Sequence, residues 1–506
     1  MLDKLKVTLK STLIYSIGNI SLKLIGLILL PVYTGHLPLE AYGRWGLLEI
    51  TSQILVIIIG LRLSTAMIRF YSSEKDTEKK KEILFLSLVI TLVSVVLFLF
   101  VLYPLAGTAS RIYFEDESFK MYFKLLFIWS SMEVLNRLSL DFVRIIQKPI
   151  LYVIAVSIRF ISVLGLNIYF IVGRDMGIEG IILGQTIGSF LLLLITLPIL
   201  ISRMKFSRDL QLSGQLFKYG FPLIFSSLSI YLLTVGDRFL IKILLDYESV
   251  GIYSLSYKIS SFIKLVLIQA FQLGFIPIVF NMFDKTDFRR FVSKSFIYYT
   301  VILVFASLAL SIFSKDVIYA FSENPDYYDA YRYIPFMLLA FCFQALQSVF
   351  TIGLHYVKRI SNQIWITFGA AAINLSLNWF LIPKMGLNGS VLAANISSLF
   401  MALFTYFLAQ KYYRIPYEIH KVGIVLLVAV GIYFAGSFIP VEKMGLSIAL
   451  KISLLFLFPF LLYPFKFYEA VELQVLKKLW KTWRNPADWR KNIARLLKEG
   501  MGEDVY

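Results

Sequence analysis

A chain of 506 residues with 58% hydrophobic side chains, 16% charged ones and a mean hydropathy of +0.74 is too apolar for a soluble globular protein, whose apolar share is about 45–50%. The formal charge of +18 does not mark a nucleic-acid protein, because the cations sit in short segments between long apolar runs rather than along one basic face. Cys342 is the one cysteine, which excludes a disulfide framework, and His36, His355 and His420 lie too far apart for zinc-ligand spacing.

Apolar stretches of about 20 residues match a bilayer core of about 30 Å. In chain order they predict spans at 12–33, 42–64, 83–105, 119–140, 150–172, 178–201 and 216–236, then 252–275, 295–314, 331–352, 360–382, 388–409, 421–439 and 444–464. Unbroken runs instead of short alternating segments exclude a β-barrel, so the expected fold is an all-α polytopic membrane protein with about 14 transmembrane helices. The first 11 residues are basic and the first apolar run is long enough to span, which reads as a retained helix rather than a cleaved signal.

An even number of spans puts both termini on one side. The loops on that side carry 22 Lys and Arg before the tail, and the opposite loops carry 8. The positive-inside bias then places both ends in the cytoplasm of a cell-membrane protein. In the tail, Leu473, Leu476, Trp480 and Trp483 share one helical face among Lys477, Lys478, Lys481 and Arg484. That pattern suits a helix on the anionic inner leaflet or one docked on a partner.

A repeat runs through the chain. Leu37-Pro-Leu-Glu40-Ala-Tyr-Gly43-Arg-Trp45-Gly-Leu47 returns 208 residues later as Leu245-Asp-Tyr-Glu248-Ser-Val-Gly251-Ile-Tyr253-Ser-Leu255. Met176-Gly-Ile-Glu-Gly180 returns 209 residues later as Met385-Gly-Leu-Asn-Gly389. The expected domains are therefore two co-oriented six-helix lobes, 1–208 and 209–415, with two added helices in 416–465 and a basic tail over 466–506. Parallel repeats of this kind belong to transporters that bind at the lobe interface near the bilayer midplane.

Ionisable residues at that depth cost about 2.5–3.5 kcal/mol each at a helix centre. Glu133, Arg137 and Asp141 fall at i, i+4 and i+8 with Arg144 three further on, a ladder able to neutralise itself along one helix. Asp237 and Arg238 fall at the outer end of the seventh span, where a structural or gating ion pair is expected. Lys23, Arg159 and Lys264 sit close to mid-span, Arg62 in the inner part of the second span and Lys258 in the outer part of the eighth. None of Lys23, Arg62, Arg159 and Lys264 has an acid three or four positions away on its own helix; Glu49 is the clearest partner across helices. Together they predict a wet cationic cavity for an anionic ligand such as a phosphate-bearing lipid head.

Three stretches make the chain recognisable: Tyr219-Gly-Phe-Pro222, Gly236-Asp237-Arg238-Phe-Leu-Ile and Val250-Gly251-Ile-Tyr253-Ser-Leu-Ser-Tyr257-Lys258-Ile. With Ile68-Arg69-Phe70-Tyr71 and Gln147-Lys148-Pro149 they resemble the polysaccharide-transporter family, the O-antigen, capsule and exopolysaccharide flippases of the multidrug/oligosaccharidyl-lipid/polysaccharide exporter superfamily. The likeness covers roughly residues 8–465. It implies two six-helix lobes around a central cavity, alternating access, and transfer of a polyprenyl-pyrophosphate-linked oligosaccharide from the inner to the outer leaflet. It also implies that Arg69, Asp237, Arg238 and Lys258 matter for contact or gating. Its implied partners are that lipid-linked oligosaccharide, the bilayer and other polysaccharide-assembly membrane proteins, with no nucleic acid. No cofactor is expected, and coupling to a proton or sodium gradient, or to the membrane potential, stays open.

Other readings remain. The lipid II flippases share the superfamily, although this first span lacks an arginine-rich pattern. Multidrug or cation antiporters call for a mid-membrane acid where this chain offers Lys23. An integral-membrane glycosyltransferase needs poised acids on a large outer loop, and the longest outer loops, near 106–118 and 315–330, are short. There is no G-x-x-x-x-G-K-[ST] phosphate loop.

Overall fold

The computed structural model describes residues 24–438, 444–470 and 472–474. Lys23, and the tail residues Leu476, Trp480 and Trp483, lie outside the described residues.

Helices make up the described chain, with no strand among the described residues. The first half contains α1 (Leu30–His36), α2 (Leu39–Ile59), α3 (Leu63–Ser73), α4 (Thr77–Leu102), α5 (Ala106–Phe114), α6 (Lys120–Ile145), α7 (Pro149–Ile168) and α8 (Gly177–Ile201). Next come α9 (Leu210–Val235), α10 (Asp237–Leu244), α11 (Tyr247–Ile263), α12 (Ala270–Asn281), α13 (Phe288–Ile312) and α14 (Ser314–Phe321). The series closes with α15 (Ile334–Tyr356), α16 (Asn362–Met385), α17 (Leu387–Tyr412), α18 (Ile419–Ser437) and α19 (Met444–Leu461).

Ten of the described helices are long and apolar enough to cross a membrane, or 11 if α9 and α10, bent by 56°, count as one broken span. Of the remaining expected spans, α6 is a 26-residue helix whose charges lower its hydropathy, and α19 is a shorter apolar helix. The protein is an all-α polytopic membrane protein.

Two compact units divide the chain. One runs to Phe288 and resumes over Phe313–Ile415; the other combines Arg289–Ile312 with the chain from Pro416 on. In the second unit, Lys294 on α13 bridges Glu418 at 2.6 Å and also Glu469, while Phe305 meets Phe458 on α19. The expected ninth span thus packs with the final pair of helices.

In the first unit the two halves repeat one packing scheme. α8 lies against α6 and α7, and α17 lies against α15 and α16. The duplicated motifs explain themselves where they meet. Glu40 and Glu248 stand in the first turns of α2 and α11, where a carboxylate complements the helix dipole. Four residues into α2 and α11, Gly43 and Gly251 let the helices cross backbone to backbone. A Cβ on Gly43 would overlap the carbonyl of Tyr247, and one on Gly251 would stand 2.7 Å from the carbonyl oxygen of Leu39. Leu39 and Tyr247 are themselves 208 residues apart, so the contact is reciprocal, as a pseudo-two-fold demands. Gly43→Ala is therefore expected to lower stability by roughly 1–3 kcal/mol through overpacking. Gly214→Ala, where a Cβ meets nothing within 4 Å, should be neutral or slightly stabilising. Thermal unfolding of both variants in detergent checks the pair.

A second device lies further along. The expected span 42–64 is broken: α2 stops at Ile59, and Leu61 and Arg62 take positive φ of 46° and 53° before α3 resumes. Left-handed backbone costs a non-glycine residue roughly 1–2 kcal/mol, and packing holds it here. Gly220 on α9 packs against the break, where a Cβ would stand only 2.5 Å from the Leu61 carbonyl oxygen.

Candidate functional site: a charged cavity between the repeats

Between the crossing of α2 with α11 and the contact of α3 with α9 lies a cavity of about 670 Å³. At 1.5 Å per residue, Glu49 stands about 9 Å beyond Gly43 along α2. One face of α6 supplies Trp129, Glu133 and Arg137 at i, i+4 and i+8. Arg159 comes from α7, Lys258 from α11, and Lys264 from a π-helical turn, Lys264–Gln269, that joins α11 to α12. Such turns often mark functional sites.

The cavity brings together Glu49, Glu133, Arg137, Arg159, Lys258 and Lys264. Among the described residues, two carboxylates face four cations. Glu133 accepts from both terminal nitrogens of Arg159, at 2.5 and 3.2 Å, from the Ser189 hydroxyl at 2.6 Å and from Trp129 Nε1 at 3.2 Å. The ladder expected along α6 is therefore corrected: Glu133 reaches across to α7, because a planar guanidinium offers a two-pronged match that its own-helix neighbour Arg137 does not make. The far rung of the ladder is present on α6: Asp141 bridges Arg144 at 3.1 Å and accepts from the Ser64 hydroxyl. Arg159, expected as an unbalanced cation, is balanced by Glu133.

Lys258 Nζ lies 3.5 Å from Glu49 and 5.9 Å from the Tyr33 ring centroid. Lys264 Nζ donates to Gln344 Oε1 at 3.4 Å and lies 5.2 Å from the Phe341 ring centroid. Among the described residues, neither Lys264 nor Arg137 has a carboxylate within 4.0 Å. The surplus positive charge of the cavity among the described residues rests on these two.

Arg62 does not line this cavity. It borders a small crevice beside Arg137, placed there by the break after α2. Asp237 and Arg238 lie 3.8 Å apart as an ion pair, and both are buried, 5% and 4% exposed. Tyr253 donates to Asp237, and the Arg238 guanidinium lies 4.3 Å from the Tyr257 ring centroid, so aromatic rings of α11 pack against the pair. Arg238 borders a neighbouring void of about 450 Å³ that it shares with Glu49, Tyr231, Tyr257 and Lys258. Arg69 sits at the far contact, its guanidinium 5.0 Å from the Tyr219 ring centroid, while Phe70 meets the same ring edge-on. The two motifs Ile68–Tyr71 and Tyr219–Pro222 therefore face each other across the repeats.

Sequence reading missed the uncharged polar wall. Gln53 and Gln185 line the main cavity, and Gln269 lines both it and a third cavity further into the second half. The available signal was the carboxamide itself, which is costly inside an apolar span.

Apolar helices packed around a charged cavity, with one packing scheme used twice, are the architecture of a membrane transporter. The chain belongs to the polysaccharide biosynthesis protein family, which it matches over residues 8–283, and hence to the multidrug/oligosaccharidyl-lipid/polysaccharide exporter superfamily; residues 222–380 also match the MatE family. Among solved structures, the lipid II flippase MurJ in its inward closed conformation superposes with a TM-score of 0.72 at 17% identity, covering 90% of this chain and 100% of that one. An inward-facing multidrug resistance MATE transporter gives 0.64 at 14% identity, with 77% and 94% covered. A Vibrio cholerae MATE transporter gives 0.56 at 15%, with 80% and 96% covered. At these identities the likeness establishes the fold. No curated protein matches the chain.

Proposed function

We propose that the protein is a flippase that carries polyprenyl-pyrophosphate-linked oligosaccharide units from the inner to the outer leaflet of the cell membrane for surface polysaccharide assembly, with both termini in the cytoplasm. The observation that carries this reading is the unmatched positive charge of Arg137 and Lys264 in a cavity that already contains two matched pairs. A diphosphate supplies the missing negative charge. Arginine offers a fork for its oxygens and lysine a compact point charge. The sugars take the wet interior and the prenyl chain stays in lipid.

Movement then requires the two contacts to open in turn: the glycine crossing at the outer end and the Arg69–Tyr219 stack at the inner end. An inside-negative potential favours outward transfer of an anionic head by about 2.3 kcal/mol per net charge per 100 mV. A second reading, lipid II transport, is favoured by the likeness to the lipid II flippase; its substrate is also a diphosphate lipid.

Reconstitution of the full chain in phosphatidylethanolamine–phosphatidylglycerol vesicles separates them. A fluorescent polyprenyl-diphosphate trisaccharide in the inner leaflet should become fully accessible to an external quencher only with protein present. Accessibility of labelled lipid II but not of the trisaccharide lipid transfers the assignment to the second reading, and failure of both lipids to cross removes both readings.

A further inference from the structure

The second half contains a cavity of about 300 Å³, lined on different sides by Asp237, Lys264 and a set of uncharged polar groups. We infer that it is a sugar subsite, holding the first residues of the saccharide beside the diphosphate. This inference rests on the flippase reading above.

Four glutamines enter it as two pairs, Gln269 with Gln272 and Gln344 with Gln347. Each pair is spaced by three residues, which puts both carboxamides on one helix face. Asn374 and Ser398 also line it. Some of these groups are tied to the protein: Gln344 donates to Ser398 Oγ at 3.2 Å and Asn374 to Ser397 Oγ at 3.2 Å. Gln272 and Gln347 are half-buried and make no hydrogen bond among the described residues. A carboxamide left so at membrane depth costs free energy unless something in the cavity satisfies it.

Chemistry chooses the occupant. Each carboxamide presents donors and an acceptor side by side, as the vicinal hydroxyls of a sugar do. A multivalent anion would select cations here, and an apolar drug would not select four glutamines. Phe341 and Tyr257 add flat apolar walls for a sugar ring. The volume sits at the small end of the roughly 300–1,000 Å³ typical of ligand pockets.

Position completes the argument. Lys264, Tyr257 and Gln269 line this cavity and the charged one alike. A diphosphate at Lys264 therefore has its first sugar next to the glutamines. The π-helical turn Lys264–Gln269 sets that junction by placing both of its terminal side chains at the shared wall.

The test measures binding to the full-length protein in nanodiscs. The probes are polyprenyl diphosphate alone and polyprenyl diphosphate bearing one glucose, galactose, N-acetylglucosamine or N-acetylgalactosamine. At least one glycosylated probe should bind about 10-fold more tightly than the bare lipid, the worth of one or two hydrogen bonds to otherwise unpaired groups. In Gln272→Met/Gln347→Met, of nearly conserved volume, that ratio should fall to about 1. Gln347→Met alone should lower it partway, which keeps the test open if the double variant does not fold. A ratio unchanged in both variants, or a wild-type ratio near 1 for every sugar, overturns the subsite while bare-lipid binding still supports the flippase reading. Failure of every probe, bare lipid included, to bind the wild type overturns both.

Discussion

Arg137→Ala/Lys264→Ala is expected to lower export at least about 100-fold and to change unfolding by less than about 1 kcal/mol. Hydrogen bonds to charged groups contribute about 1.5–3 kcal/mol each, and two lost together correspond to about two to four powers of ten. The stability side follows from the partners. Neither cation has a carboxylate within 4.0 Å among the described residues, and the largely buried Asp141, which Arg137 supports through space, keeps its bridge to Arg144 at 3.1 Å. Arg137 is exposed to the cavity, where substitutions away from structural features usually stay within about 0.5 kcal/mol. Surface polysaccharide in a deletion strain reports the first quantity, and thermal unfolding of purified protein the second. Arg137→Lys should fall between the two because it keeps charge and loses the fork. Wild-type export by the double alanine variant would remove the charged cavity from the mechanism.

How much of this was written in the chain depends on the scale of the signal. Apolar runs of span length predict helices directly, since a bilayer allows little else. The recurrence of Glu40, Gly43 and Trp45 as Glu248, Gly251 and Tyr253 marked a duplicated scaffold. That the two glycines touch each other is a tertiary fact, because a motif shows its copy and not its contact. The pairing of Glu133 with Arg159 escaped for the same reason: spacing reveals partners on one helix, whereas Arg159 lies on the next. The break at Leu61 and Arg62 had a single weak local cue, Gly60, since neither positive-φ residue favours left-handed backbone and Gly220, packed against the break, is 158 residues beyond Arg62. Gln272 and Gln347 escaped because a search for charge passes over neutral amides, although their cost inside an apolar helix is of the same kind.

Glu133→Ala should cost about 3–5 kcal/mol of stability, the range for leaving one member of a buried ion pair alone. Glu133 accepts four hydrogen bonds, two from Arg159 and one each from Ser189 and Trp129. Its side chain is 15% exposed and that of Arg159 is 11% exposed, so water replaces little of what is lost. Glu133→Gln keeps an acceptor for Ser189 and Trp129 but removes the countercharge, and should recover only a minor part. Glu133→Leu/Arg159→Met removes both charges and should recover most of the loss, because two apolar side chains of similar size satisfy each other where one orphaned guanidinium cannot. A double-mutant cycle on thermal unfolding measures the coupling directly. The sign also bears on transport: a coupling below about 1 kcal/mol is the value of an exposed, solvent-screened pair. Arg159 would then be free to turn toward a diphosphate, and the cationic surplus would rest on three residues instead of two. A coupling of several kcal/mol fixes Arg159 as the brace that holds α6 against α7, and leaves Arg137 and Lys264 to meet the ligand.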